Sequence, residues 1–101
     1  MTVETLLLHL EEERVIALDE LLVASGLARE ELVELVEFGA LEHAGDSRSF
    51  PGQALRQARR AARLRDDFGL NAPGMALALA YLERIDALER RLRELECQLL
   101  G

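Results

Sequence analysis

The pattern of apolar and polar positions becomes regular from Asp19 onward, where it predicts two short helices. The first covers residues 19–24, with Asp19 as its N-cap and Gly26 ending it in a left-handed conformation. The second covers residues 29–38 and stops at Gly39. Two short helices joined by a tight glycine-containing turn form a helix-turn-helix unit.

The stretch after Gly39 predicts a small β wing followed by a third helix. Residues 41–43 and 48–50 can pair as a short hairpin, because a Gly-Asp-Ser turn lies between them. Pro51 is tolerated in the first turn of a helix, so the third helix is expected over residues 51–68.

The last helix is predicted over residues 72–100, with Asn71 as its cap. Its first part, residues 75–80, is apolar almost all round and is expected to be buried. Six apolar positions then recur at alternating spacings of four and three, typical of a coiled-coil seam: Tyr81, Ile85, Leu88, Leu92, Leu95 and Leu99. We expect the domain to cover the first of them and a second copy of the chain to cover the others, in a homodimer.

The seam is flanked by charged residues that bear on the direction of the predicted dimer. Arg84 and Arg91 lie on one flank, and Glu89 and Glu96 lie on the other. A parallel pair would set arginine against glutamate, whereas an antiparallel pair would tend to set like charges together. The flanking charges therefore favour a parallel pair. Exposed ion pairs contribute little to stability, so the direction of the dimer stays open.

Residues 1–18 carry the weakest pattern of the chain. Residues 6–10 fit a strand or a helix, and residues 15–18 resemble a short extended segment. We therefore divide the chain into an N-terminal extension with a short strand (1–18), a winged helix-turn-helix core (19–74) and a C-terminal packing or dimerisation helix (75–101).

Composition indicates a folded protein with an acidic front half. Half of the 101 residues are apolar and 31% are charged, which is ordinary for a folded domain. The net charge of −7 is uneven: twelve acids against three arginines give −9 over residues 1–52, and seven acids against nine arginines give +2 over residues 53–101. An acidic front half repels phosphate and attracts basic protein surfaces.

The second predicted helix has an acidic outward side. Three glutamates recur there at i, i+4 and i+7, and one valine lies beside them; the leucines of this helix face the other way, toward the core. The four outward residues are Glu30, Val33, Glu34 and Glu37. In a DNA-binding helix-turn-helix this helix enters the major groove, where affinity depends largely on Lys and Arg near phosphates. Sequence-specific DNA binding through this helix is therefore not expected. The stripe is either a solvated face or a protein contact.

The third predicted helix is divided between an apolar and a basic side. The apolar side consists of Ala54, Ala58, Ala61, Leu64 and Phe68, and the basic side of Arg56, Arg59, Arg60 and Arg63. Such a basic side is either a nucleic-acid footprint or a surface that is solvated or paired with the chain's own acids. Arg65 falls on the apolar side, so we expect it to have a carboxylate or carbonyl partner.

No motif indicates catalytic chemistry. His9 and His43 lie in different segments, and the single cysteine, Cys97, lies near the end of the last helix. The sequence has no metal-ligand spacing, glycine-rich phosphate loop or Ser-His-Asp arrangement. We therefore expect a protein that is not an enzyme and that binds no cofactor or metal.

The sequence also predicts a cytoplasmic protein without a membrane segment. No Lys or Arg precedes the leucines at 6–8, so no secretory leader is expected. No apolar run approaches the ~20 residues that span a bilayer. A single cysteine cannot form an intrachain disulfide, which is compatible with a reducing compartment.

Two stretches resemble known families. Residues 21–41, with Ser25-Gly26-Leu27, Glu30-Glu31-Leu32 and Phe38-Gly39-Ala40-Leu41, resemble the helix-turn-helix of MerR-type regulators. Residues 62–79, with Arg63-Leu64-Arg65 and Gly69-Leu70-Asn71-Ala72-Pro73-Gly74, resemble the signature of the chaperone modulators called CbpM. The resemblance covers about residues 15–100. It implies a mainly α fold, namely a MerR-like winged helix-turn-helix with a long C-terminal coiled-coil-like helix and a minor β wing.

The resemblance also implies a partner. CbpM-type proteins bind the J-domain of the DnaJ-like co-chaperone CbpA and inhibit its stimulation of the DnaK-type chaperone. J-domains meet that chaperone through a basic helix, so an inhibitor that competes for this helix should present acid. The expected contact residues are Glu30, Val33, Glu34 and Glu37. A MerR-like DNA-binding transcriptional regulator and a structural dimeric adaptor are the alternatives.

Overall fold

The strands and helices follow the order of a winged helix-turn-helix. A computed structural model describes residue 3 and residues 14–100 of the chain. Within residues 14–100 it contains, in chain order, β1 Val15–Ala17, α1 Leu18–Ser25, α2 Arg29–Glu37, β2 Ser49–Pro51, α3 Gln53–Phe68 and α4 Ala72–Leu100. This confirms the mainly α fold with a helix-turn-helix and a long last helix. The prediction on residues 6–10 lies outside the described residues, and the division of the chain into three segments stays a prediction.

β1 and β2 form a two-stranded antiparallel sheet. Ile16 lies opposite Phe50, and both side chains are buried. The predicted hairpin between residues 41–43 and 48–50 is therefore wrong, and residues 41–43 form no strand. Of their three side chains only Leu41 reaches the core, whereas Ile16 brings a second large apolar side chain beside Phe50. Strand pairing is selected by such side-chain packing as well as by closeness in sequence.

Two predicted helix starts are corrected by one or two residues. α1 begins at Leu18 with Ala17 as its N-cap, so Asp19 lies in the first turn, where its carboxylate pairs with Arg29 at 2.9 Å. Pro51 ends β2 instead of starting α3. The end of an edge strand tolerates proline, because few ladder hydrogen bonds are required there.

Three predicted helix boundaries are confirmed in detail. Gly26 and Gly69 are left-handed, with φ of 81° and 65°, and each N–H donates to the carbonyl four residues earlier. Only glycine adopts this conformation readily, so these positions end α1 and α3. Asn71 caps α4, because its side-chain oxygen accepts the N–H of Gly74 at 3.0 Å.

The core is built where α3 packs against α1 and α4, and where α4 also packs against α2. Four buried alanines line α3 and let its neighbours approach closely: Ala54, Ala58, Ala61 and Ala62. The largest fully buried side chains are Phe50, Leu21, Leu32, Leu35, Met75 and Leu79. Burying one such leucine contributes about 1.5–3 kcal/mol, so a handful of contacts fixes the relative positions of the helices.

α4 continues well beyond the rest of the domain. Its last buried residue is Leu79, and every described residue from 83 onward is exposed. Side chains of α3 contact the middle of this helix. Gln57 Nε2 donates to Glu83 Oε1 at 2.6 Å, and Arg60 pairs with Asp86 at 2.9 Å.

The Arg60–Asp86 ion pair predicts a pH-dependent contribution to stability. The hydrogen bond from Arg60 holds the pKa of Asp86 below its ordinary range. A carboxylate with a lowered pKa stabilises the fold above its unfolded pKa, and this contribution is lost as the pH falls through the folded value. Asp86→Asn should therefore lower the free energy of unfolding at about pH 7, and the difference from wild type should shrink as the pH falls below the ordinary aspartate pKa of about 3.9.

Urea unfolding followed by circular dichroism at several pH values measures this difference. Glu94→Gln is the matched control, since it removes an exposed carboxylate of the same helix that has no ion pair among the described residues. The control should have the same free energy of unfolding as wild type at every pH. A difference for Asp86→Asn that stays constant with pH would contradict the role of the ion pair.

Candidate functional site

The outward side of α2 presents an exposed patch, here called the acidic face: Glu30, Val33, Glu34 and Glu37. The opposite side of the helix holds the buried Leu32 and Leu35, so the acidic face points roughly 180° away from the core. All four of its side chains are exposed, Val33 at 47%. The helix thus displays three carboxylates around one apolar side chain.

The carboxylates of the acidic face are uncompensated within the described part of the chain. No described side chain forms an ion pair or hydrogen bond with Glu30, Glu34 or Glu37. Like charges at such spacing on a helix are mildly destabilising. A basic surface brought against them would remove this repulsion and be attracted over a distance of about 10 Å.

The remaining glutamate of α2, Glu31, lies on a different side of the helix and has structural contacts. Its Oε1 accepts the backbone N–H of Ala28 at 2.9 Å and Nη1 of Arg65 at 2.5 Å. Ala28 is the N-cap of α2 and has no side-chain acceptor, so Glu31 supplies half of a capping box. One carboxylate therefore both caps α2 and ties it to α3.

Arg65 connects three parts of the helix-turn-helix. Nη1 and Nη2 each donate to the carbonyl of Gly26 at 3.3 Å, and Nε donates to Asp66 at 3.0 Å. The hydrogen bonds to Asp66 and Glu31 raise the pKa of Arg65. The prediction that this arginine needs a carboxylate or carbonyl partner is confirmed, since it has both. These contacts fix the rotation of α2 and hence the direction of the acidic face.

The arginines predicted on the basic side of α3 are partly engaged within the molecule. Arg60 pairs with Asp86, and Arg59 Nε donates to the carbonyl of Ala24 at 3.4 Å. A groove of about 520 Å³ runs between α3 and α4 and is lined by Arg56, Arg60, Arg63, Leu64, Asp67 and Leu82. Intramolecular pairing explains part of this basic side, which weakens the nucleic-acid interpretation.

The six seam residues predicted on α4 are exposed along the whole helix. Their exposed fractions lie between 47% and 87%. The sequence predicts that Tyr81 packs on the domain and that Leu77 is buried, but their side chains are 61% and 60% exposed. Both expectations are wrong because the seam lies roughly 160° around the helix from the inward side, which carries Leu79 and Glu83.

Sequence reasoning missed two further surface features. Helical periodicity puts Phe68 on the apolar side of α3, yet its side chain is 71% exposed, because the helix and its packing end there. A cleft of about 310 Å³ between the α2–β2 loop, α3 and α4 includes Glu42, Gln57 and Glu83. Tertiary packing brings these residues together, so no local sequence pattern predicts the cleft.

The described residues that could carry chemistry are separated from one another. The His43 ring packs against the Phe50 ring at a tilt of 43°, with centroids 4.6 Å apart, and Cys97 is exposed on α4. His9 lies outside the described residues. Among residues 3 and 14–100, no group of three or more His, Cys, Asp or Glu side chains is placed to hold a metal ion. None of the described helices is long and apolar enough to cross a bilayer.

Comparison with known proteins gives consistent matches over most of the chain. Residues 16–97 match the family described as MerR HTH family regulatory protein. A chaperone modulatory protein CbpM from Coxiella burnetii is 39% identical over 90 residues, which cover 86% of this chain and 85% of the relative. A chaperone modulatory protein CbpM from Salmonella arizonae is 38% identical over 84 residues, which cover 80% of this chain and 79% of the relative.

The Glu31–Arg65 contact predicts a measurable coupling between α2 and α3. The two side chains are 24% and 27% exposed, so Arg65→Met should lower the free energy of unfolding by about 1–3 kcal/mol, because Glu31 then loses its charged partner. Glu31→Gln keeps the cap on Ala28 while removing the charge. The double variant should lose about 1 kcal/mol less unfolding free energy than the two single variants lose together.

Urea unfolding of the four proteins of this double-mutant cycle measures the coupling. Arg63→Met, at an exposed position two residues earlier on α3, is the matched control and should cost little. Losses that add without coupling would mean that Glu31 and Arg65 do not stabilise one another.

Proposed function

Because the chain belongs to the MerR-type helix-turn-helix family and, within it, to the chaperone modulatory proteins CbpM, we propose that it binds the J-domain of a DnaJ-like co-chaperone. By doing so it inhibits the co-chaperone's stimulation of a DnaK-type chaperone. The relatives named above are regulatory or modulatory proteins by name, and they come from bacteria. We also propose that the chain acts in the cytoplasm of a bacterium.

The observation that carries this proposal is the uncompensated acidic face of α2. Its three carboxylates have no partner among the described residues, and they surround the half-exposed Val33. A basic helix that packs on this face gains ion pairs at the rim and an apolar contact at the centre. Inhibition follows from competition, since a J-domain helix held by this chain cannot meet the chaperone at the same time.

Rigidity of α2 adds to the affinity of such a contact. The Glu31–Arg65 contact and the buried Leu32 and Leu35 hold the helix in one orientation before binding. A preformed surface loses less conformational entropy when it binds than a flexible one does. The acidic face is thus ready for a partner without rearrangement of the helix-turn-helix.

Charge reversal on the acidic face tests the contact. Glu34→Lys combined with Glu37→Lys should weaken binding to the J-domain of the cognate co-chaperone at least about tenfold at low salt, because attraction becomes repulsion. The difference from wild type should narrow at high salt, since the Debye length falls to about 3 Å at 1 M. Isothermal titration calorimetry at both salt concentrations measures the affinities.

The matched control reverses two exposed carboxylates that belong neither to the acidic face nor to the seam and its flanks, Asp67→Lys with Glu94→Lys. It changes the net charge equally and should leave the affinity within about twofold of wild type. Equal losses in both double variants would indicate a general charge effect. Unchanged affinity in the acidic-face variant would remove this face from the contact, and no binding by the wild-type chain would overturn the proposed partner.

A DNA-binding transcriptional regulator is the second candidate, favoured by the family match and by the arginine-lined groove between α3 and α4. The acidic face occupies the helix that would enter the major groove, and it opposes the phosphates there. We therefore expect no retention on heparin or duplex DNA at about 50 mM salt. Salt-dependent binding to a palindromic duplex would favour the DNA-binding candidate instead.

A further inference from the structure

The cleft between the α2–β2 loop, α3 and α4 combines two carboxylates with an apolar wall. Its volume is about 310 Å³, and it is lined by Glu42 of the loop and Glu83 of α4. Glu83 accepts the hydrogen bond from Gln57, whereas Glu42 is exposed and has no ion pair or hydrogen bond among the described residues. The apolar part of the lining includes Leu41, Pro51 and Ala54. The cleft therefore offers negative charge next to apolar surface.

The amide of Gln57 adds an acceptor to this cleft. Its Nε2 donates to Glu83, which fixes the orientation of the amide, because the reversed amide would set two oxygens against each other. The other amide atom, Oε1, is buried and accepts no hydrogen bond from any described residue. A buried acceptor without a donor costs free energy, which a donor group would restore. Gln57 thus favours a ligand that donates hydrogen bonds.

The C-terminal end of α2 adds negative potential to the same cleft. α2 ends at Glu37, and both Gly39 and Ala40 line the cleft. Gly39 is left-handed with φ of 79°, and the N–H of Ala40 donates to the carbonyl of Leu35, so the loop folds back against the end of the helix. The last turn of α2 has no basic residue to neutralise the partial negative charge at this end. The helix end and the two carboxylates together favour a cation.

These features fit a cation on a hydrocarbon stem better than a metal ion. Mg²⁺ and Ca²⁺ bind through a larger set of oxygen ligands, and no group of three or more acidic, His or Cys side chains among the described residues is placed to supply one. A lysine or arginine side chain has methylenes for the apolar wall, and its tip carries several N–H donors for the carboxylates and the amide oxygen.

The cleft continues the acidic face of α2. That face ends at Glu37, and the lining of the cleft begins two residues later, at Gly39. Glu42 extends the uncompensated negative charge of the acidic face into the loop. A basic partner attracted to the acidic face therefore brings lysine and arginine side chains close to the cleft.

We infer that the cleft is the binding site for one lysine or arginine side chain of the basic partner. The acidic face attracts the partner over a distance, whereas the cleft surrounds a single cationic side chain and fixes the register of the complex. The source of this side chain rests on the proposed function. The affinity of the cleft for an alkyl cation does not.

Titration with n-butylammonium chloride tests the cleft without any protein partner. In the ¹⁵N-labelled full chain, the signals of Gly39, Glu42 and the Gln57 side-chain amide should shift and saturate, with a Kd on the order of 1–10 mM for so small a ligand. Glu42→Gln with Glu83→Gln should raise this Kd at least about fivefold, because the amides keep the shape and remove the charge. Glu94→Gln is the control and should leave the Kd unchanged.

Two neutral or inorganic probes decide between the possible occupants at constant ionic strength. n-Butanol has the same stem without the charge, and magnesium chloride supplies a cation without a stem. Shifts of the same signals that are as large with n-butanol, or that occur with Mg²⁺ and not with n-butylammonium, would overturn the site for a cationic side chain. An unchanged Kd in the Glu42→Gln, Glu83→Gln variant would do the same. Circular dichroism confirms that the variants are folded.

Double-mutant cycles with the J-domain test the source of the side chain. Each lysine and arginine of its basic helix is replaced by methionine, and every J-domain variant is titrated calorimetrically against wild type and against the Glu42→Gln, Glu83→Gln variant. One substitution should weaken binding to wild type at least about tenfold and binding to the cleft variant less than about twofold. With Glu94→Gln, every J-domain variant should behave as it does with wild type.

The two experiments separate failure of this inference from failure of the proposed function. If every basic residue of the J-domain contributes equally to binding wild type and the cleft variant, no J-domain side chain occupies the cleft, and the inference is overturned. If the wild-type chain binds no J-domain, the proposed function fails and with it the source of the side chain. The n-butylammonium titration still decides in that case whether the cleft binds an alkyl cation.

Discussion

The arrangement of the helix-turn-helix depends on the hydrogen bonds that the guanidinium of Arg65 donates. This guanidinium binds the carbonyl at the end of α1, the carboxylate that caps α2, and a neighbour on its own helix. A planar group with five donors in a fixed fork can satisfy all three at once, which a lysine ammonium cannot do in the same geometry. Because Glu31 is only 24% exposed, neither member of this ion pair can lose the other without leaving a poorly solvated charge. The turn, the cap and the orientation of α2 are therefore a single linked feature, and the buried alanines of α3 supply the close approach that lets Arg65 reach across.

Local signals in the sequence predict the helices well, whereas long-range pairing is beyond them. Gly26, Gly69 and Asn71 act through their own backbone or their immediate neighbours, so their effect can be derived from the sequence. The partner of β2 could not be derived in this way. A turn between residues 41–43 and 48–50 favours a local hairpin, but the strand that pairs is the one whose Ile16 meets Phe50 in the core. That choice depends on where α1 and α3 place the two segments, which is known only once the helices have packed.

The same distinction between local signals and long-range contacts applies to the candidate site. Helical periodicity places Glu30, Glu34 and Glu37 on one outward side, and the structure agrees because a straight short helix obeys its period. Periodicity also indicates that Arg65 is unusual, although it does not identify Glu31 or the Gly26 carbonyl as partners. It fails for Leu77 and Phe68, since an apolar position is buried only where another element reaches it. The end of a helix and the rim of a domain are set by the size of the whole core.

The extension of α4 past its domain has a consequence for how the protein survives in a cell. Beyond Asp86 the helix has no buried residue of its own, and an isolated helix of about a dozen residues is marginal in water. While it is uncovered, this part of the helix should therefore unwind more readily than the helices of the core, and unwound backbone is what proteases cleave. A partner that covers these leucines would then also protect the chain from proteolysis.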